Sequence, residues 1–506
     1  MKYDFLIIGG GIGGLICGSL LAREGYKVCV LEKHYTIGGG LHVFRKHDKI
    51  FETGIHYVSG FSRDQVLSKI FNYLQILDNL KLKDLDYDAF DVIHIGEDNI
   101  KYKLGSGEEN FINGLSEHFP EERENLRRYI KSIKELSQKF YLFNLEPRIS
   151  DIFSMDDELT QPVGNYIDQF FTNNKLKSIL AWNNSLYAGI YDKTPAFVHI
   201  LITKFYLEGA TRFVDGSQHL ADSMTDIIKN AGGDVFTSSE VSKIEAKDKE
   251  IQYIKTVDGR VFEADNYISA IHPAITLEMI DPGQIQKSYF NRITSLKNTT
   301  SVFSLFLTFK EKSFPYLNYN YYYTKTYESV WKATQYNTEN WPSGIMLLTP
   351  PTSNGDIYAE KMIVNCIMNF DDVKKWEHTR TGRRGDDYIE FKRDRTEKVI
   401  NILRELFPGI EKSIDQISAS TPLTIRDYTG SKNGSLYGIE KDCNNMINSH
   451  IVPRTKIKNL YLTGQNINLH GIIGVALSAI LTAGEFVGVN NLINKINLEY
   501  EHREEN

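Results

Sequence analysis

Three glycines near the N-terminus have the spacing of a phosphate-binding turn. Gly9, Gly11 and Gly14 form the pattern G-x-G-x-x-G, with Ile12 and Gly13 between the last two. The first glycine of such a turn allows a sharp bend, the second lets a pyrophosphate approach the backbone, and the third lets helix and strand pack closely. The phosphates then lie at the positive end of the helix dipole. The motif predicts a bound dinucleotide.

An acidic residue and a second glycine cluster narrow the type of dinucleotide. Glu32 lies at the end of the next β-rich run, where a carboxylate accepts hydrogen bonds from ribose hydroxyls. Gly39 and Gly40 belong to a glycine cluster shortly after it. Such a cluster lets a second loop pass close to the dinucleotide, which is typical of FAD proteins and not of simple NAD dehydrogenases. A flexible loop is the alternative interpretation of the cluster taken alone.

The C-terminal part of the chain carries a second signal for FAD. Residues 460–465 read as a strand and a Thr-Gly-Gln turn, and a small-residue helix follows. This segment looks like the flavoprotein motif that touches the ribityl chain and places a helix N-terminus near the isoalloxazine ring. A buried structural helix is the alternative. The cofactor-binding candidates are Gly9, Gly11, Ile12, Gly13, Gly14, Glu32, Lys33, Gly39, Gly40, His56, Val241, Gly464, Gln465, Gly474 and Val475.

Side chains that can give or take protons cluster after the second glycine group. His42, Glu52, His56 and Tyr57 fall within a short segment, and Tyr437 comes from the C-terminal part. Each can act as a general acid. The alternative is structural, with the histidines bonding backbone carbonyls and Glu52 capping or pairing. His470 is a further candidate, whereas His272 is expected to mark a turn near the dinucleotide.

Other kinds of chemistry have no matching pattern. No Ser-His-Asp set or zinc-spaced His/Cys set is evident, and we predict no metal site. A second G-x-G-x-x-G is also missing, so reduced flavin must come from NAD(P)H bound transiently, another external reductant or an electron-donor protein. The net charge of −7 argues against nucleic-acid binding, and the 4 scattered cysteines suit a cytoplasmic protein.

The elements that must position these residues begin with a βαβ unit. Residues 3–8 and 27–31 read as strands flanking a helix that ends near Gly25, which predicts a parallel sheet. Residues 108–207 are mostly helical, residues 241–268 mostly strand, and residues 474–487 a helix. The acidic tail at 499–506 is expected to be frayed.

These elements suggest a discontinuous organisation. We predict an FAD-binding domain from residues 1–75, 209–290 and 420–490, a substrate-binding domain from residues 76–208 and 291–419, with its helical part at 108–208, and a C-terminal tail at 491–506. The apolar run at 471–483 is shorter than the roughly 20 residues needed to span a bilayer. We therefore expect a cytoplasmic protein, with peripheral membrane contact through residues 140–143 and 152–153 as a hypothesis.

Together these motifs resemble the phytoene desaturase, carotenoid isomerase and retinol saturase group of flavoproteins along nearly the whole chain. The retinol saturase branch is the most similar, since Gly40 stands where desaturases and amine oxidases usually carry Arg. Gln465 stands where many FAD enzymes have Asp, and an amide can still bond a ribityl hydroxyl. Further matching residues are His42, Val43 and Phe44, residues 51–57, Gly209 and Ala210, residues 215–217, residues 421–424, Tyr428, Gly434, Tyr437 and Gly438.

The resemblance implies an α/β fold: a Rossmann-like FAD-binding domain of the glutathione-reductase type, similar to amine oxidases and phytoene desaturase, with an inserted α+β substrate domain. It also implies a hydrophobic polyene or isoprenoid-like substrate and acid-assisted hydride transfer to a C=C bond. Cis–trans isomerisation and desaturation on the same scaffold remain alternatives. So does non-catalytic lipid binding, and a flavin monooxygenase fits less well.

An aromatic run in the substrate domain has two interpretations. It can line a polyene tunnel, or it can be ordinary sheet packing. Its members are Tyr316, Tyr319, Tyr321, Tyr322, Tyr323 and Trp331.

Overall fold

A computed structural model describes residues 2–148, 156–355 and 357–505 of the chain. The strands are β1 Lys2–Ile8, β2 Val28–Leu31, β3 Val43–Lys46, β4 Lys49–Glu52, β5 Leu82–Asp84, β6 Asp91–Ile95, β7 Ile100–Leu104, β8 Thr211–Phe213, β9 Asp234–Phe236, β10 Val241–Lys247, β11 Glu250–Thr256, β12 Val261–Ser269, β13 Ser301–Phe309, β14 Asn320–Thr324, β15 Gly344–Leu348, β16 Lys361–Met368, β17 Ile414–Ser420 and β18 Leu460–Leu462.

The helices alternate with these strands along the chain. They are α1 Ile12–Arg23, α2 Val66–Tyr73, α3 Glu108–Ser116, α4 Arg123–Ser137, α5 Asp157–Thr160, α6 Val163–Asp168, α7 Asn174–Leu180, α8 Ala196–Leu207, α9 Gln218–Asn230, α10 Pro273–Glu278, α11 Lys287–Thr294, α12 Tyr327–Trp331, α13 Asp386–Leu406, α14 Ile410–Ser413, α15 Pro422–Thr429, α16 Met446–Ser449, α17 Gly471–Val487 and α18 Val489–Glu505.

The first sheet is built from distant parts of the chain. Its order is β10-β11-β12-β1-β2-β9, and β18 pairs with β12. The pairs that involve β1, β2, β9 and β18 are parallel, as the βαβ pattern predicts. Every residue of β2 is buried, which is typical of a parallel strand covered on both faces. Helices α1, α9 and α17 pack together beside this sheet. The carboxyl ends of β1, β2 and β18 therefore lie close to one another.

The second sheet forms the wall of the substrate side. Its order is β17-β13-β16-β15-β14-β6-β7, and its pairs are antiparallel except for β14 with β6. In that parallel pair Asn320 stands opposite Asp91, and Tyr322 stands opposite Ile93. Side chains two residues apart on a strand share a face, so these four lie on one face of the sheet.

The expectation of a frayed tail is wrong. Residues 489–505 form α18, which packs against α2 and α17 and buries Leu492, Ile496 and Tyr500. The Tyr500 hydroxyl accepts a bond from the backbone N–H of Asp64 at 3.0 Å. These apolar residues recur four apart, which is a helical period that the acidic composition of the segment hid.

Within the described parts of the chain no single helix is both long enough and apolar enough to cross a membrane. The pair α17 and α18 meets the criteria of length and composition together, but the two helices are bent by 116° at the residue between them.

Candidate functional site

One cavity of about 940 Å³ runs from the N-terminal glycine turn to the second sheet. Its first half is a polar groove over the carboxyl ends of β1 and β2, and its second half is an apolar chamber. The groove is lined by Gly9, Gly11, Ile12, Gly13, Glu32, Lys33, Gly39, Gly40, Val241, Gly464, Gln465, Gly474 and Val475. The chamber is lined by Ile93, Phe143, Trp182, Leu201, Ile202, Phe205, Tyr206, Tyr322, Tyr323, Ile345 and Met346.

Three glycine loops meet in the groove at distances that exclude side chains. A Cβ atom on Gly39 would lie 3.0 Å from the Cα of Gly11, and one on Gly13 would lie 2.9 Å from the Cα of Gly464. Gly14 is even closer to its neighbour, since its Cβ would lie 2.1 Å from the carbonyl oxygen of Gly9. Gly14 lies beneath the turn and does not line the cavity. The loops form a cradle of bare backbone, which is the environment a pyrophosphate needs.

Glu32 forms one wall of this cradle. The residue is 8% exposed. Its two carboxylate oxygens accept bonds from the backbone N–H groups of Gly10 and His34, each at 2.8 Å. These bonds fix the carboxylate in place, and each oxygen keeps a further lone pair for a ribose hydroxyl. Lys33 and Val241 line the same groove, as the sequence predicts.

The opposite wall is the start of α17. Gly464 has a φ of +95°, and the half-buried Gln465 lines the groove beside it. Gly474 has no room for a side chain, because its Cβ would lie 2.3 Å from the carbonyl oxygen of Leu469. The first-turn N–H groups of a helix have no partner within the helix, so this end carries partial positive charge. The groove thus fits a flavin dinucleotide, whose phosphates and ring would each meet a helix N-terminus.

His56 and Glu52 form a pair where the groove meets the chamber. His56 lines the cavity, and its Nδ1 lies 3.4 Å from Oε2 of Glu52, which is 1% exposed. The other oxygen of Glu52 has no partner among the described residues. Two buried cations, Lys361 and Arg212, interact electrostatically with this carboxylate. Burial lowers the pKa of both, and the charge of Glu52 opposes that shift.

Tyr57 and Tyr322 form a second pair in the chamber wall. Their hydroxyl oxygens are 2.5 Å apart, and both side chains are buried. Burial raises both pKa values well above the usual range, and the charge of Asp91 raises them further. Two hydroxyls that share one hydrogen bond keep one proton available to a third group.

His42 and Tyr437 line the cavity, but each side chain already forms a hydrogen bond with a backbone carbonyl. His42 Nε2 lies 2.6 Å from the carbonyl oxygen of Thr36, and burial lowers the pKa of His42 to about 4. The Tyr437 hydroxyl donates to the carbonyl of Ser185 at 2.7 Å. The structural alternative thus describes His42, and the pairing of Glu52 with His56 also fits the form that this alternative gives for Glu52.

His470 and His272 are two further histidines in the cavity lining. His470 Nε2 lies 3.0 Å from the carbonyl oxygen of Leu186, and burial lowers the pKa of His470 to about 4. His272 precedes α10, and its Nδ1 accepts from the N–H of Ala274 at 3.2 Å. It therefore caps a helix beside the groove, in line with the turn that the sequence predicts.

The sequence did not reveal a buried polar cluster beneath the chamber. Asp91 is fully buried and accepts bonds from Asn320 at 2.7 Å and from the indole N–H of Trp182 at 2.8 Å. Arg212 donates to the Asn320 side chain at 2.9 Å and to three backbone carbonyls. Burial raises the pKa of Asp91 to about 7. The available signal was a carboxylate at the start of a strand whose other residues, apart from His94, are apolar.

Some residues of the aromatic run and of the apolar patch line the cavity, and others pack in the core. Tyr322 and Tyr323 line the chamber, whereas Tyr321 is buried in the core of the second sheet. In the patch, residues 140–142 are half-buried and Phe143 is buried. Residues 152–153 lie outside the described residues.

This fold and groove define an FAD-dependent oxidoreductase. The family model for flavin containing amine oxidoreductase matches residues 12–486, and the chain belongs to that family. The human all-trans-retinol 13,14-reductase is 27% identical, covering 98% of this chain and 88% of the relative. Prolycopene isomerase 2 of an Oncidium hybrid cultivar is 24% identical, covering 95% and 83%.

A solved structure of similar fold is an oxidoreductase from Methanosarcina mazei. It has a TM-score of 0.64 and 16% sequence identity, and the match covers 95% of this chain and 99% of that one. This likeness and the family match confirm the predicted fold class, and the family match confirms the FAD cofactor. The domain boundaries and the roles of single site residues stay predictions.

Proposed function

We propose that this protein reduces a C=C bond of a hydrophobic polyene or isoprenoid-like lipid, as a retinol saturase does. The observation that carries the proposal is the apolar chamber that opens directly onto the dinucleotide groove, with an acid–base pair at the junction. The similarity to a retinol reductase over nearly the full chain supports the same substrate class.

His56 has the geometry of the proton donor. Its Nδ1 faces the carboxylate of Glu52, and its Nε2 has no hydrogen-bond partner among the described residues. The Glu52 carboxylate faces this nitrogen and holds the ring in one orientation. Nε2–H then gives its proton to one carbon of the double bond, and the conjugated chain spreads the developing positive charge. When bound, reduced FAD supplies the hydride for the other carbon.

The Tyr57–Tyr322 pair is the second candidate for contact with the reacting lipid. Its raised pKa values make it a weaker acid than an imidazolium, because the charged phenolate is disfavoured by burial. We assign it to holding the polyene, through the hydroxyl proton that the pair does not use internally. The apolar walls around it exclude water from the reacting bond.

Cis–trans isomerisation is the second candidate function, favoured by the similarity to a prolycopene isomerase. Protonation by His56, bond rotation and return of the proton to His56 need no net hydride. Desaturation requires oxidised flavin and an electron acceptor. For the reductase, the electrons come from NAD(P)H, another external reductant or an electron-donor protein. Contact with a membrane surface would deliver the lipid.

The test is anaerobic incubation of the purified yellow protein with all-trans-retinol and a measured amount of dithionite. A reductase gives a product two mass units heavier and consumes one two-electron equivalent per product. An isomerase changes retention time without changing mass or consuming reductant. A product two mass units lighter, formed only with oxidised flavin, identifies a desaturase. A colourless preparation that binds retinol without converting it identifies a binding protein.

A further inference from the structure

A second cavity of about 700 Å³ lies beside the chamber, between α4, the C-terminal end of α8 and the segment before α2. The two cavities share the lining residues Phe143 and Phe205 within the described parts of the chain. Both side chains are buried, and their ring centroids are 6.4 Å apart. The wall between the cavities is therefore formed by these two aromatic rings at the place where both cavities reach it.

One of the two rings of the wall is carried by a short turn, and the other by a helix. Phe143 lies in the short 3-10 turn Tyr141–Asn144, which ends at Leu145 with a φ of +50°. The turn is held from outside by Asn497 of α18, which donates to the carbonyl of Leu145 at 2.8 Å. Rotation of one of these phenyl rings would join the two cavities.

The second cavity has many charged residues in its lining, in contrast to the chamber behind the wall. Lys134 lies 2.8 Å from Glu108, and Lys204 lies 3.3 Å from Glu208. The ammonium group of Lys204 also stands 4.4 Å from the ring centroid of Phe205, on the wall itself. The lining holds four basic and four acidic residues, which are Arg63, Lys69, Lys134, Lys204, Asp64, Asp84, Glu108 and Glu208.

Balanced charges select the kind of group that such a cavity accepts. Beside the wall, a carboxylate or an ammonium ion would have to displace one partner of the Lys204–Glu208 ion pair. A hydroxyl group, in contrast, can donate to a carboxylate and accept from an ammonium at the same time. The lining therefore favours a neutral polar end group over a charged one.

We propose that the second cavity binds the neutral polar end of the linear lipid, whose apolar chain passes between Phe143 and Phe205 into the chamber. This inference rests on the proposed function, because it presumes a polyene in the chamber. It adds the factor that selects the reacting bond. With the polar end held beyond the wall, only the double bonds at a fixed distance along the chain reach His56.

The first experiment measures head-group selectivity in the holoenzyme. All-trans-retinol and all-trans-retinoic acid are titrated separately into wild-type, Glu208→Gln and Lys204→Met protein, following the change in the visible flavin spectrum. We expect Glu208→Gln to improve the affinity for the acid relative to the alcohol by about fivefold, and Lys204→Met to worsen it by about the same factor, as partly exposed charges do. An unchanged ratio in both variants overturns the proposal.

The second experiment measures access through the wall. We expect Phe143→Ala to accelerate retinol association and Phe143→Trp to slow it, each by fivefold or more in stopped-flow measurements. Phe197→Ala is the matched control, because Phe197 is a buried ring of the same helix as Phe205 and lines neither cavity. Equal rates for both Phe143 variants and the control contradict a route between the rings.

The experiments distinguish a failure of the proposed function from a failure of the second lipid-binding cavity. If no polyene perturbs the flavin spectrum of any variant, the proposed function is wrong and this inference falls with it. If polyenes perturb the spectrum but neither the selectivity ratio nor the association rates respond, the proposed function stands and the second cavity is not part of the lipid site.

Discussion

Replacing Gly13 by alanine tests the cradle at its closest contact. A Cβ atom at this position would lie 2.9 Å from the Cα of Gly464 and 3.1 Å from Cγ1 of Val475. Carbon atoms in contact are about 3.5–4.0 Å apart, so the two loops must separate by roughly half an ångström or more. The new methyl group would meet the backbone of Gly464 on one side and the first turn of α17 on the other. Neither contact is the end of a long, flexible side chain that could move aside.

The size of the effect follows from the cost of overpacking. Inserting a methyl group into a packed contact typically costs about 1–3 kcal/mol. If the cost falls on the contact between the two loops that hold the dinucleotide, the Kd for FAD rises by about fivefold to 150-fold. The assay is titration of the deflavinated protein with FAD, following the quenching of flavin fluorescence.

Gly18→Ala is the matched control on the same helix. Its Cβ would meet the side-chain methyl groups of Ile228 and Ile7 at 3.0 and 3.1 Å, and Gly18 does not line the cavity. The ends of side chains shift more easily than backbone, and alanine favours the helix. We expect an unchanged Kd for FAD in this variant. Equal affinities of Gly13→Ala and Gly18→Ala would refute the placement of the phosphates between the two loops.

Three further predictions concern the acid, the buried cluster and the C-terminal helix. Glu52→Gln should lower kcat about tenfold with little change in KM, because His56 loses the carboxylate that fixes the orientation of its ring; an unchanged kcat contradicts this role of the pair. Burial raises the pKa of Asp91 to about 7 from its ordinary value of 3.8, so the protonated carboxyl contributes its full stability below about pH 4, and this contribution is lost as pH rises through 7. In chemical denaturation, Asp91→Asn should flatten that fall, and a pH dependence identical to wild type contradicts the assignment. Ile496→Ala should destabilise the protein by about 2–4 kcal/mol with the FAD spectrum retained at low temperature, whereas the exposed Leu498→Ala serves as control with a change below about 1 kcal/mol.

The parts of the site that sequence predicts well are those where backbone chemistry dictates the residue. Gly9, Gly13 and Gly464 occupy positions where a side chain is strained or excluded, so their spacing alone indicates the cradle. Glu32 follows from the same pattern, since the end of β2 fixes where a carboxylate meets the ribose.

The parts that sequence could not supply depend on contacts between distant segments. The hydrogen bond between Tyr57 and Tyr322 joins residues that are 265 positions apart. Asp91 meets Asn320 only because β6 pairs with β14. His42 and His56 look alike in sequence and differ only in what surrounds them. One faces a carbonyl within its own loop, and the other faces a buried carboxylate.

The pairing of β18 with β12, and of β12 with β1, has a consequence for how the protein is made. A ribosome releases the glycine turn at residues 9–14 long before it releases Gly464 and the start of α17, which form the other side of the same groove. The nascent chain therefore carries half a groove through almost all of its synthesis. Long-range pairing of this kind is slow and leaves an unpaired strand edge exposed in the meantime. FAD supply during expression should thus raise the yield of soluble protein, because bound cofactor would contact both halves of the groove and stabilise the folded form.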